Sequence, residues 1–239
     1  MARTEPRLTR KDLRAPDEFQ TLTRQSLDFI EANRTAVMAA LGAAIVLLLA
    51  IVAFRMISQS REASASKAYS EARALLADKK YDEAAGGFET VATQYSGTSY
   101  GPLALLERGN ALLLADKASD AVAAYEAFLR TSPGTDYLRQ LAHTRLGYAH
   151  EKLGKAADAQ TAFTTAATEK GPFTAEALFG AARNAEAAGD SAKAKDHYGQ
   201  LLEKFPATEY REVASAHLIA LGGTPPAPKA PDVAAMVGN

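Results

Sequence analysis

Two hydrophobic patterns divide the chain. Residues 35–54 form an unbroken run without a charged residue, bracketed by Arg34 and Arg55. Beyond Arg55 the apolar positions recur at helical spacing, with polar residues between them and with glycine, proline or serine at regular stops. At about 1.5 Å per residue the first run is roughly 30 Å long, the thickness of a bilayer core. Its ten Val, Leu, Ile and Phe side chains favour insertion by roughly 3 to 6 kcal/mol in total. The pattern predicts a transmembrane helix over residues 36–54.

This run differs from a cleaved signal peptide. It begins about 35 residues in and exceeds a usual h-region, and the one small-x-small candidate, Ala63-Ser64-Ala65, lies well past it after Arg61 and Glu62. An uncleaved anchor is expected. Its orientation is less sharply written. The preceding tail carries seven basic residues (Arg3, Arg7, Arg10, Lys11, Arg14, Arg24, Arg34), which favours a cytoplasmic tail. Within about 20 residues of the membrane the count is two (Arg24, Arg34) against four (Arg55, Arg61, Lys67, Arg73), which favours the reverse. Long domains translocate largely regardless of charge, so the tail-in arrangement is expected. Within the tail, residues 1–16 are polar, basic and expected to be disordered. Pro16-Asp17-Glu18 is a helix-start signal. It predicts a cytoplasmic amphipathic helix over residues 17–35, with Phe19, Leu22, Phe29 and Ile30 on one stripe.

The second pattern is a repeat. An alanine recurs at Ala84, Ala121, Ala159 and Ala194, at intervals of 37, 38 and 35 residues. Four residues later stands an aromatic (Phe88, Tyr125, Phe163, Tyr198), and twelve residues earlier a small residue (Ala72, Gly109, Gly147, Ala182). Twelve residues after the alanine comes Ser96, Pro133, Gly171 or Pro206. Each unit therefore reads as two amphipathic helices. The small residue on the first admits the second closely, and the aromatic fills the space between units. Leu153-Gly154 ends a first helix at a glycine turn. Asp82-Glu83 and Ser119-Asp120 open second helices as caps and acids.

These columns resemble tetratricopeptide repeats, whose pattern of large–Leu–Gly–aromatic, Ala, Phe and Pro is met best by Leu146, Gly147, Tyr148, Gly154, Ala159, Phe163 and Ala166. The apolar run and this resemblance together imply an all-α fold: an N-terminal transmembrane helix from the run, a helical connector over residues 55–64, and, from the resemblance, an α-solenoid of about four helix pairs over residues 65–221. Residues 209–221 would cap it, and residues 222–239, with four prolines, would form a disordered tail. With no glycine or proline between Gly42 and Gly86, the membrane helix is expected to run unbroken into the first repeat, holding the solenoid at a fixed distance from the bilayer.

Composition then removes several functions. A net charge of -1 gives no global attraction to nucleic acid. Zero cysteine excludes disulfides, thiolate metal sites and a cysteine nucleophile. His143 and His150 share a helix face but occupy columns where other units carry Leu105 and Leu178, or Leu75 and Leu112, so they read as packing residues. Gly147…Gly154-Lys155 lacks the phosphate-loop spacing and its Ser/Thr. No catalytic, metal or cofactor site is expected, and no small-molecule substrate.

A solenoid offers instead a binding face lined by its first helices. The candidate groove residues are Tyr69, Arg73, Leu106, Asn110, Arg145, Tyr148, Phe179 and Arg183, expected to form an apolar strip with basic edges. The carboxylate clamp of chaperone-binding tetratricopeptide domains would fall on Tyr69, Arg73, Glu107, Leu141 and Arg145, of which only Arg145 conforms. The layout of short tail, single span and exported repeats resembles YfgM-like ancillary subunits of the bacterial Sec translocon. That resemblance implies an inner-membrane protein with a periplasmic repeat domain. Its partners would be translocon subunits, a periplasmic chaperone or exported clients, with lipid around residues 36–54. The alternative is a structural adaptor in envelope assembly or division, holding one folded partner.

Overall fold

The computed structural model of the chain describes residues 18–131 and 135–227, and among them every regular element is a helix. They are α1 (Glu18–Ala32), α2 (Arg34–Ala77), α3 (Tyr81–Gln94), α4 (Tyr100–Leu114), α5 (Ala118–Thr131), α6 (Asp136–Lys152), α7 (Ala156–Thr168), α8 (Thr174–Ala187), α9 (Ser191–Lys204) and α10 (Arg211–Ala220). The chain falls into two compact units, Met1–Ser58 and Gln59–Asn239. Most of the expected basic and proline-rich tails, and the helix-start signal at Pro16-Asp17, lie outside the described residues.

In the first unit α1 and α2 are separated by the single residue Asn33. Its N–H donates to Phe29 C=O (3.0 Å), its side-chain amide donates to the same oxygen (3.0 Å), and its own C=O accepts from Val37 N–H (2.9 Å). These bonds keep the i→i−4 ladder on both sides of Asn33, but the regular helix is interrupted at this one residue, inside the expected 17–35 segment. α2 holds a stretch long and apolar enough to cross a membrane, none of it buried by protein. α2 is unbroken through residues 55–66, as the absence of glycine and proline there led us to expect.

In the second unit the end of α2 pairs with α3, and α4 with α5, α6 with α7 and α8 with α9, while α10 closes the stack. All four column aromatics are wholly buried, as are the four column alanines. A Cβ placed on Gly109 would stand 2.5 Å from the Tyr125 ring, and one on Gly147 2.7 Å from Phe163. The small residues are thus demanded by the rings. The cap α10 leaves Val213 and Ile219 half exposed, with no second helix over them among the described residues.

A further column emerges from the backbone. Lys79, Asp116, Gly154 and Gly189, spaced like the alanines, all take positive φ (61°, 67°, 70°, 81°). The next residue in each unit donates its N–H back to the first helix: Lys80 to Leu75, Lys117 to Leu112, Lys155 to His150, Asp190 to Ala185, at 2.8–2.9 Å. This is a Schellman closure repeated four times. A lysine in the left-handed region costs about 1–2 kcal/mol relative to the right-handed one. Lys79→Gly should therefore raise stability by about 1 kcal/mol; an unchanged or lowered urea midpoint would contradict this.

The helix starts differ from expectation. Asp82, Glu83 and Asp120 lie in first turns, where they face the positive end of the dipole, but they do not cap. Lys80 is the N-cap of α3 and makes no side-chain bond there. Asp190 does cap α9, accepting from Lys193 N–H at 3.0 Å.

Candidate protein-binding face

Successive first helices (α4 with α6, α6 with α8) bring their backbones closer than α5, α7 and α9 do with one another, although Thr164 of α7 and His197 of α9 meet at 3.5 Å. The first helices therefore form the inner side of the curve, and the face they present is the candidate site.

Seven of the eight predicted residues divide between two columns, and Arg145 stands in a third, with Ser70, Glu107 and Gly180. Arg73, Asn110, Tyr148 and Arg183 occupy one, and all are exposed or half-buried. Tyr69, Leu106 and Phe179 occupy the other, together with Thr144, and here the expectation fails in part. Leu106 is only 3% exposed and belongs to the core. In that column Leu106 and Thr144 are buried, while Tyr69 and Phe179 keep partial exposure.

The remaining side chains are held in place by named partners. Tyr69 packs edge-on to Phe88 (5.4 Å) and against Tyr100 (5.3 Å). Tyr148 sets its ring edge-on to Phe163 (5.1 Å) and donates its hydroxyl to Glu176 (2.7 Å). Phe179 stacks on Tyr210 at 4.7 Å, with the Arg183 guanidinium 5.5 Å above its centroid. Arg145 stands 5.9 Å from the Tyr148 ring. Arg183 also pairs with Glu151 (2.6 Å), which accepts from Asn184 as well. The expected basic edge is thus partly neutralised at the α8 end, while Arg73 stays exposed. Burial pushes the Tyr69 hydroxyl up to about 12. Burial, then the bond to Glu176, raises that of Tyr148. Both are neutral donors at physiological pH.

The sequence reading missed Leu113 and Leu114. With Asn110 and Arg145 they line an open pocket of about 310 Å³, and Leu114 is 56% exposed. The triple Leu112-Leu113-Leu114 was the available signal, because Leu114 stands in the column that carries Lys152 and Ala187 elsewhere.

The histidines lie away from this face. His143 Nε2 is 3.7 Å from Glu169, His197 Nε2 is 3.5 Å from Thr164, and the inner nitrogens of His150 and His197 have no partner. Burial lowers the pKa of all three. A lowered folded value means that the unfolded chain binds more protons as pH falls through about 6.5. Their contribution is therefore complete above that pH and lost below it. The melting temperature should drop between pH 7.5 and 5, and the drop should shrink when His143 and His150 become leucine and His197 becomes alanine, the residues of the matching columns. An equal drop in the triple variant would refute the assignment.

The sequence profile of the tetratricopeptide repeat-like domain matches residues 28–176, and that of the tetratricopeptide repeat matches residues 176–208. The chain belongs to the tetratricopeptide repeat-like family. Among solved structures it is similar to MamA (TM-score 0.56, 16% identity, 66% of this chain and 80% of that one). It is also similar to a tetratricopeptide repeat protein from Parabacteroides merdae (0.57, 13%, 66% and 60%). A third is a putative kinesin light chain with nearly identical TPR-like repeats from Podosopora anserina (0.52, 16%, 65% and 84%). At these identities the likeness is one of fold. No curated protein matches in sequence.

Proposed function

We propose that the chain is a membrane-anchored, non-catalytic protein-interaction module of the bacterial cell envelope. In this reading α2 crosses the inner membrane with the N-terminus in the cytoplasm. The solenoid works in the periplasm, beside the Sec translocon and its chaperones, receiving newly exported chains. One observation carries the binding role: Tyr69, Leu114, Tyr148 and Phe179 keep apolar surface on the inner face of a four-pair stack. Large amphipathic and arginine side chains dominate binding energy when a partner desolvates them. The exposed aromatic surface and the pairing of Arg183 with Glu151 suit an extended segment of mixed composition more than a phosphorylated or strongly basic one. The anchor rests on the charge-free run over residues 35–54 and its length.

A photo-crosslinker at Leu114, followed by mass spectrometry of the membrane complexes, tests the reading. Many exported chains together with translocon subunits are expected. One folded, stoichiometric partner would establish the adaptor role in its place. A periplasm-only reporter fused after Asn239 should be active, and activity of a cytoplasm-only reporter instead would end the translocon reading. Leu114→Glu with Arg145→Glu should weaken capture by about 2 kcal/mol or more. This pair tests the face more cleanly than Tyr148→Ala, because Tyr148 also supports Phe163.

A further inference from the structure

We infer that α1 is a lipid-surface helix, lying at the headgroup boundary of the bilayer that holds α2. This rests on the membrane-anchor reading and goes beyond it. Leu22, Phe29 and Ile30 lie toward one side of α1 and are 64%, 64% and 45% exposed, while Arg24, Asp28 and Glu31 occupy the opposite side. Nothing in the described chain covers that apolar side. At about 1.5 Å per residue, α1 is roughly 22 Å long, so a helix standing straight out of the membrane would carry the stripe into water.

Two observations place α1 along the surface instead. First, α2 begins at Arg34, and the backbone bond entering its first turn is Val37 N–H to Asn33 C=O. The Arg34 guanidinium at the start of α2 is costly inside hydrocarbon. The start of α2 therefore belongs at the polar headgroups, and α1 ends one residue away at the same depth. Second, the regular helix is interrupted at Asn33, where the direction of the chain can change between α1 and α2. An amphipathic helix that starts at headgroup level buries its apolar face about 5–10 Å into the acyl boundary and leaves its charged face wet. The basic residues Arg3, Arg7, Arg10, Lys11 and Arg14 that precede it suit anionic headgroups.

The absence of cysteine makes the test clean. Single variants Leu22→Cys, Arg24→Cys, Phe29→Cys, Glu31→Cys and Leu48→Cys of the full chain are spin-labelled. They are reconstituted in nanodiscs of phosphatidylethanolamine and phosphatidylglycerol. Oxygen collides preferentially with labels in lipid and a nickel chelate with labels in water. The oxygen-to-nickel ratio at positions 22 and 29 should exceed that at 24 and 31 by at least about threefold. Equal ratios at the four sites, with Leu48 still in lipid, would overturn the surface helix and leave the anchor standing. Strong spin–spin broadening at 22 and 29 would overturn it differently, by showing a second copy over the stripe. A nickel-accessible label at 48 would bring down the anchor reading itself.

Discussion

Phe163→Ala is expected to cost about 3–5 kcal/mol, a large share of the 5–15 kcal/mol that typically holds a domain together. The ring is wholly buried and wedged between two glycines of different units. A Cβ on either Gly147 of α6 or Gly180 of α8 would come within 2.7 Å of it, and Tyr148 meets it edge-on. Phe163 therefore couples the third unit to the fourth as well as α7 to α6. In a stack where each repeat contacts only its neighbours, losing that coupling should loosen one end before the other. Hydrogen exchange should rise most across α8–α10, while urea denaturation reports the total. Gly180→Ala should destabilise the intact protein by overpacking. Combined with Phe163→Ala it should cost less than the sum, because the cavity accepts the methyl. A loss below about 1 kcal/mol for Phe163→Ala would mean that the ring is not the wedge described.

Gln140→Leu should follow, at about 2–4 kcal/mol. Gln140 is fully buried at the head of α6, where the other units carry Ala65, Pro102 and Ala175. Its amide nitrogen is within bonding reach of Ala166 C=O (3.1 Å), Glu169 C=O (3.1 Å) and Thr174 Oγ1 (3.0 Å). Its oxygen accepts from Phe173 N–H (3.0 Å). One side chain thus satisfies both ends of the turn between α7 and α8, and Gly171 passes too close to its oxygen for any Cβ to fit. Leucine matches the volume but strands these backbone groups away from water. Gln140→Glu separates shape from bonding: it keeps the acceptor for Phe173 N–H but removes the donors, and should lose a comparable amount. If Gln140→Leu unfolds at the wild-type urea concentration, the turn is held by something else.

The two residues also mark how far the sequence can be read. Phe163 was legible because its role is periodic: it recurs as Phe88, Tyr125 and Tyr198, and each ring stands opposite a small residue on a first helix. Gln140 was not, because it departs from its column, and a lone polar residue among small ones carries no spatial information until α7, α8 and their turn are folded around it. The binding face fell between these cases. The column of Arg73, Asn110, Tyr148 and Arg183 reached the surface as periodicity implied. Leu106 did not, and Leu114 took a place that repeat columns assign to lysine or alanine.

What the sequence by itself determined is everything set by local periodicity: the charge-free run over residues 35–54, ten helices' worth of amphipathic pattern, the pairing imposed by small residues and aromatics, and the unbroken course of α2 through residues 55–66. These follow from spacing along one chain, where neighbours three or four residues apart decide the outcome. Only the tertiary structure decided which exposed-looking positions are surface and which charges are paired. Arg183 meets Glu151 across 32 residues, Tyr148 meets Glu176 across 28, and His217 meets Glu186 across 31. Such contacts depend on the rotation between stacked helices, a property of packing that no short window of sequence contains.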